Sequence, residues 1–111
     1  MTDFEVCRLS AEAMWKEVSN DIASDDGVFV SNDPSQPEVH WNPLTNAEQR
    51  WECVEWLLEL KCFVFLYGLT EHKIDSERGG PIYIDCPASE FPARAVAELQ
   101  RRKIAFNDRA R

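Results

Sequence analysis

From Trp41 to Gly68 the chain reads as a capped helix running straight into an apolar strand, and this pairing limits what the flanking residues can build. Thr45 stands three residues before Glu48, the spacing of a capping box, and Asn42-Pro43 offers a second start because proline tolerates the first helical turn. At 100° per residue, Ala47, Trp51, Val54 and Leu58 fall within roughly 60° of one another, which marks a core-facing stripe. Glu48, Glu52, Glu55 and Glu59 form a second row, with almost no basic partner at helical spacing. Cys53, Trp56 and Leu60 make a third seam beyond it, so this helix is apolar on two sides. Phe63 to Tyr67 is apolar on both faces, as expected of a central strand buried between two layers.

The flanking segments complete the layout. Apolar residues at 6, 9/10, 14, 18 and 22 predict a first helix from Val6 to Ser24, ending near Gly27, with Ser10 able to cap a later start. Asp21, Asp25 and Asp26 then crowd the end where the helix dipole prefers cations, which reads either as a partner-binding cluster or as a solvated loop. A short strand, Val28 to Val30, follows. Residues 31–40, with two prolines, read as a loop that ends in His40, a satisfied polar residue. Residues 68–80 read as a polar turn closing in Gly79-Gly80. That pair lacks the spacing of a phosphate loop and fits a hairpin turn into a strand at Ile82 to Cys86, where Ile82, Ile84 and Cys86 face the core. The last helix runs from a Ser89 cap to about Ile104, buries Phe91, Ala95, Val96 and Leu99, and ends in Arg101, Arg102 and Lys103, a polarity the dipole explains. The expected order is helix, strand, helix, strand, strand, helix. This is an α+β fold, with helices on a small sheet of about three or more strands, in a single domain over residues 1–111.

Charge is distributed unevenly along the chain. Residues 1–60 carry 13 acidic against 3 basic side chains, a net of −10, whereas residues 61–111 carry 7 against 9, a net of +2. The overall −8 argues against direct binding to nucleic acid or to an anionic membrane, since both are polyanions. The opening residues lack the basic and apolar regions of a secretory signal, and no apolar run approaches the ~20 residues of a membrane span, so a cytoplasmic location is expected. Cys7, Cys53, Cys62 and Cys86 are scattered without a Cys-x-x-Cys pair, which predicts buried, reduced thiols. With His40 and His72 as the only histidines, a Cys/His zinc site has no favourable spacing, and no cofactor is expected.

Trp41-Asn42-Pro43-Leu44-Thr45-Asn46, followed by Trp51-x-x-Val54-x-x-Leu57-Leu58, resembles a segment typical of the phage ABA sandwich family of small proteins. Ala11-Glu12-Ala13-Met14 and Pro92-Ala93-Arg94-Ala95 are similar to patterns in that family's first and closing helices. The resemblance implies a phage or prophage origin and an α/β/α sandwich, but no activity. Small acidic phage proteins commonly bind a host protein, and inhibitors of host defence such as anti-CRISPR proteins are a frequent case.

Three functional readings follow. In the first, the chain is a binding protein that occupies a basic surface on a host protein. It uses Glu48, Glu52, Glu55 and Glu59 with Trp56 as the aromatic anchor; the alternative for the same residues is a solvated helix face with Trp56 packed inside. In the second, the chain self-associates through a sheet edge or the Trp56 seam. In the third, it is a small thiol-dependent enzyme that pairs Cys62 or Cys86 with His72, although both cysteines stand at apolar strand positions where a thiol is inert.

Overall fold

The computed structural model describes residues 2–19, 27–31, 35–60, 63–67, 71–76 and 80–102. Helix α1 spans Asp3–Ala13, α2 Ala47–Glu59 and α3 Phe91–Arg102. The strands are β1 Glu17–Val18, β2 Val28–Ser31, β3 Val39–Trp41, β4 Phe63–Tyr67, β5 Glu71–Ser76 and β6 Gly80–Asp85. The fold is α+β. The helices with β2, β4 and β6 keep the expected order, while β1, β3 and β5 are additions to it. All six strands pair antiparallel, in two three-stranded sheets ordered β1-β2-β3 and β4-β5-β6.

Helix α1 is shorter than its periodicity predicts. Thr2 caps it by accepting the Glu5 amide, and Val6, Cys7, Ser10, Ala11 and Ala13 are buried. Past Ala13, the Trp15 amide donates to the Glu12 carbonyl and the Lys16 amide to the Ala11 carbonyl, the pair of bonds that closes a Schellman motif. Trp15 occupies the left-handed position of that motif at φ 62°, where glycine is usual. The apolar period therefore breaks there, and Val18 becomes a strand residue opposite Val30. Gly27 does not cap this helix. At φ +132° it lets the backbone approach β3, where a Cβ would come within 2.4 Å of the Trp41 carbonyl oxygen.

The expected loop at 31–40 ends in a strand, since Val28, Phe29 and Val30 of β2 pair with Trp41, His40 and Val39. His40 is exposed and meets the Phe29 ring edge-on at 5.6 Å. Strand β3 then turns into α2 through Asn42. The Asn42 side-chain oxygen accepts the Leu44 amide at 3.1 Å, and its carbonyl accepts the amides of Thr45 and Asn46. Asn46, rather than Thr45, caps α2 by accepting the Gln49 amide. Gln49 in turn places its side-chain amide along the β3 edge. Its Oε1 accepts the Asn42 amide at 2.6 Å, and its Nε2 donates to the His40 carbonyl at 2.7 Å. These are the two bonds that another strand would make around Trp41, so Gln49 closes the edge at that point.

In the second sheet β5, not β4, is the middle strand. His72 and Ile74 of β5 and Ile82 of β6 are buried, with the His72 ring tilted on Phe91 of α3 at 5.1 Å. Ile84 is half-buried and Cys86 buried, while Tyr83 and Asp85 face outward as their alternation predicts. Helix α3 hides Phe91, Pro92, Ala93, Ala95, Val96, Ala97 and Leu99, more of its circumference than one stripe. Ser89 does not cap this helix: it lies in the preceding turn, and the Glu90 carbonyl accepts the Arg94 amide, the first bond of the helix, while Lys103 and Ile104 lie outside the described residues. The buried side chains form one cluster that runs from Val6 in α1 to Leu99 in α3.

Two stability predictions follow from these junctions. Gln49→Glu places a carboxylate in the first turn of α2, which local helix rules favour by about 0.3–1 kcal/mol. It also turns an acceptor towards the His40 carbonyl, so a net destabilisation of about 1–2 kcal/mol is expected in urea unfolding with the m-value unchanged. At position 15, Trp15→Gly should exceed Trp15→Ala in stability by about 1 kcal/mol, because both lose the ring and only glycine sheds the left-handed cost.

Candidate functional site: the exposed face of helix α2

The third turn of α2 decides which of its apolar seams is core. Cys53, Trp56 and Leu57 are buried, whereas Trp51 is 58% exposed and Leu58 56% exposed. The expected assignment is therefore inverted. Ala47, Trp51 and Leu58 do not make the core-facing stripe, and Val54 is half-buried. Trp56, at 7% exposure, packs inside and offers no anchor to a partner.

Glu48, Glu52, Glu55 and Glu59 are all exposed. Trp51, Glu55 and Leu58, at positions i, i+4 and i+7, form a row along the outer face, with the other three carboxylates beside it. The outer face thus combines two large apolar side chains with four carboxylates. Of the four, Glu52 alone has an ion-pair partner among the described residues, the Lys16 ammonium at 3.8 Å. Lys16 itself is mostly buried, with its Nζ 4.8 Å from the centroid of the Trp41 ring. Asp21, Asp25 and Asp26 lie outside the described residues.

Trp41 lies under this cation as a fixed wall. It is 1% exposed, and its indole N–H donates to the Ser10 hydroxyl at 3.0 Å, which donates to the Cys7 carbonyl. Between Trp41 and α2 a cleft of about 130 Å³ opens to solvent. Its walls are Val30, Pro37, Val39 and Trp41, with Lys16, Gln36, Gln49 and Glu52 adding polar atoms. The sequence showed no sign of this cleft, because Gln36, Pro37 and Val39 of its lining fall in the segment 31–40 that reads as loop.

The basic end of α3 is occupied internally. Arg101 and Arg102 both donate to Glu98, and the Arg101 hydrogen bond in particular holds that carboxylate below its usual range. Among the described residues no group of three His, Cys, Asp or Glu could hold a metal ion, and no helix is long and apolar enough to cross a membrane.

Cys7, Cys53 and Cys86 are free and buried, as their scatter predicts, and Cys62 lies outside the described residues. Burial pushes the Cys7 thiol up to about 11, and raises Cys53 and Cys86 as well. His72 is fully buried, and neither ring nitrogen has a hydrogen-bond partner among the described residues. A thiol raised by desolvation is a poor nucleophile at neutral pH, which weighs against pairing Cys86 with His72.

Comparisons with models of known families, with curated proteins and with solved structures find no match to this chain. The site must be read from its own chemistry.

N-ethylmaleimide should leave Cys7, Cys53 and Cys86 unmodified in the native protein over a time in which the urea-unfolded chain reacts fully, as read by peptide mass. Fast native labelling of Cys86 would restore it as a candidate nucleophile.

Proposed function

We propose that this protein acts by binding another protein that carries a basic surface, through the outer face of α2. Glu48, Glu52, Glu55 and Glu59 provide steering and charge pairing. Trp51 and Leu58 provide the apolar contact in place of Trp56. One observation carries this reading: two large apolar side chains, each more than half exposed, stand among four carboxylates on one helix face. Single exposed apolar residues are ordinary on protein surfaces, but an aromatic and a leucine on one face beside charged neighbours match the composition of a binding hot spot with its polar rim.

The resemblance of Trp41–Asn46 to the phage family makes the partner a host protein. On that reading the chain is an accessory inhibitor of a host defence system, in the manner of an anti-CRISPR protein, acting in the host cytoplasm. The resemblance alone supports this finer identity. Self-association is the alternative. An isologous contact through α2 would bring like-charged rows together, so charge disfavours it on this face.

The test compares proteins captured from bacterial lysate by the wild-type chain, by the triple variant Glu48→Gln/Glu55→Gln/Glu59→Gln, and by Trp51→Ala. Glu52 is kept because it pairs with Lys16. The wild type should retain a basic protein that elutes as salt rises, the triple variant should lose it, and Trp51→Ala should weaken its binding about 10-fold or more. Equal capture by all three would sink the proposal, as would no capture by the wild type.

A further inference from the structure

We infer that the outer edge of β6 is a self-association surface, on which two copies of this chain join β6 to β6 antiparallel about a two-fold axis at Ile84. The contact uses no residue of α2 and stands apart from the partner reading of that helix.

A proline fixes which backbone groups face the edge. Pro81 is opposite Asp75 in the β5-β6 ladder but has no N–H to exchange with it, so this pair is a non-hydrogen-bonded one. Alternation then gives β5 the backbone bonds of Gly80, Ile82 and Ile84, and turns the backbone groups of Pro81, Tyr83 and Asp85 away from it. Strand β6 is the last of its sheet, and among the described residues no hydrogen bond reaches these outward groups. At β3, by contrast, Gln49 closes the edge. An edge with donors and acceptors open at alternate positions is a template for another strand.

Register and charge select a second copy as the occupant. With Ile84 opposite its own counterpart, each Tyr83 stands opposite Asp85 of the other chain and can exchange both N–H···O=C bonds with it, while Pro81 falls outside the bonded pairs. On the outer face, Lys73 of β5 is the neighbour of Tyr83, and its ammonium lies 6.0 Å from the centre of the Tyr83 ring, leaning towards the edge. Glu71 is the neighbour of Asp85, so two like charges stand directly opposite each other within one copy. Joined in this register, each row across the two copies reads Lys73, Tyr83, Asp85, Glu71, and a cation leans towards a pair of anions that lacks one at home. A two-fold axis at Tyr83 would instead gather the two Lys73 side chains and set Asp85 opposite Pro81, next to Asp75. On the core face, Ile84 is half-buried between buried Ile82 and Cys86, and its counterpart would cover it.

Sedimentation equilibrium from about 10 µM to about 1 mM should show the mass rise from 12.8 kDa towards twice that value. Over the same range, hydrogen exchange read by NMR should slow severalfold at the Tyr83 and Asp85 amides, with Ile82 and Ile84 protected throughout. Asp85→Lys faces Glu71 favourably in its own copy but Lys73 in the other, so it should abolish the dimer without lowering the urea midpoint. Adding Lys73→Glu to it recreates opposite charges across the axis and should restore the dimer. Tyr83→Pro removes an outward donor and no bond to β5, so it too should leave a monomer; if it fails to fold, the charge swap decides. A single copy at every concentration overturns the inference. So does a dimer that Asp85→Lys leaves intact, one that the swap does not restore, or one in which the Tyr83 and Asp85 amides exchange as fast as in the monomer.

Discussion

Everything on the first sheet side of the molecule depends on how the backbone leaves β3 and enters α2 at Asn42. The junction buries the Leu44 amide and half-buries that of Asn42, and a buried polar group left without a partner costs about 1–3 kcal/mol. The local solution uses side chains at both ends of the turn. Asn42 accepts the Leu44 amide and, at 3.5 Å, the Cys7 thiol, while Gln49 reaches back from the first turn of α2 to the edge of β3. With the turn satisfied in this way, Trp41, Pro43 and Leu44 can be buried together. The direction of α2 follows from the junction, and with it the choice of which helix face meets the core.

That dependence explains what could and could not be read from the sequence. The helix over residues 47–59 was legible, because its 3.6-residue period and its polar entry are local properties. Its orientation was not. Two apolar seams compete on this helix, one through Trp51 and Leu58 and one through Cys53 and Trp56, and periodicity cannot rank them. The Asn42 and Gln49 contacts rank them, and they involve partners seven residues apart or more. The acidic row was legible in its exposure, but the aromatic that accompanies it was misread, since Trp51 rather than Trp56 faces outward.

The missed strands have a related cause. Strand β5 carries Glu71, Lys73 and Asp75 around buried His72 and Ile74, so its alternation is hidden by an imidazole in a core position. Strand β1 is two residues long, and its Val18 continues the apolar period of α1 with no sequence break at Trp15, where the backbone turns left-handed. A glycine at position 15 would have signalled the end of that helix. Tryptophan there conceals it, and its ring is exposed rather than used to offset the strain within the core.

The outer face of α2 departs from what stability alone would select. Glu48 and Glu52, and Glu55 and Glu59, are like charges at i, i+4, and Glu52 with Glu55 adds an i, i+3 pair, each unfavourable by about 0.2–0.5 kcal/mol. Glu59 also stands in a last turn that holds no basic residue, where the dipole opposes it. A lysine at 55 or 59 would relieve these terms without disturbing a buried contact, because both positions are exposed. The exposed ring of Trp51 adds no core burial in return. Local folding requirements therefore do not account for this face. A cationic partner would, since it would relieve the carboxylate repulsion and bury Trp51 and Leu58 in the same step.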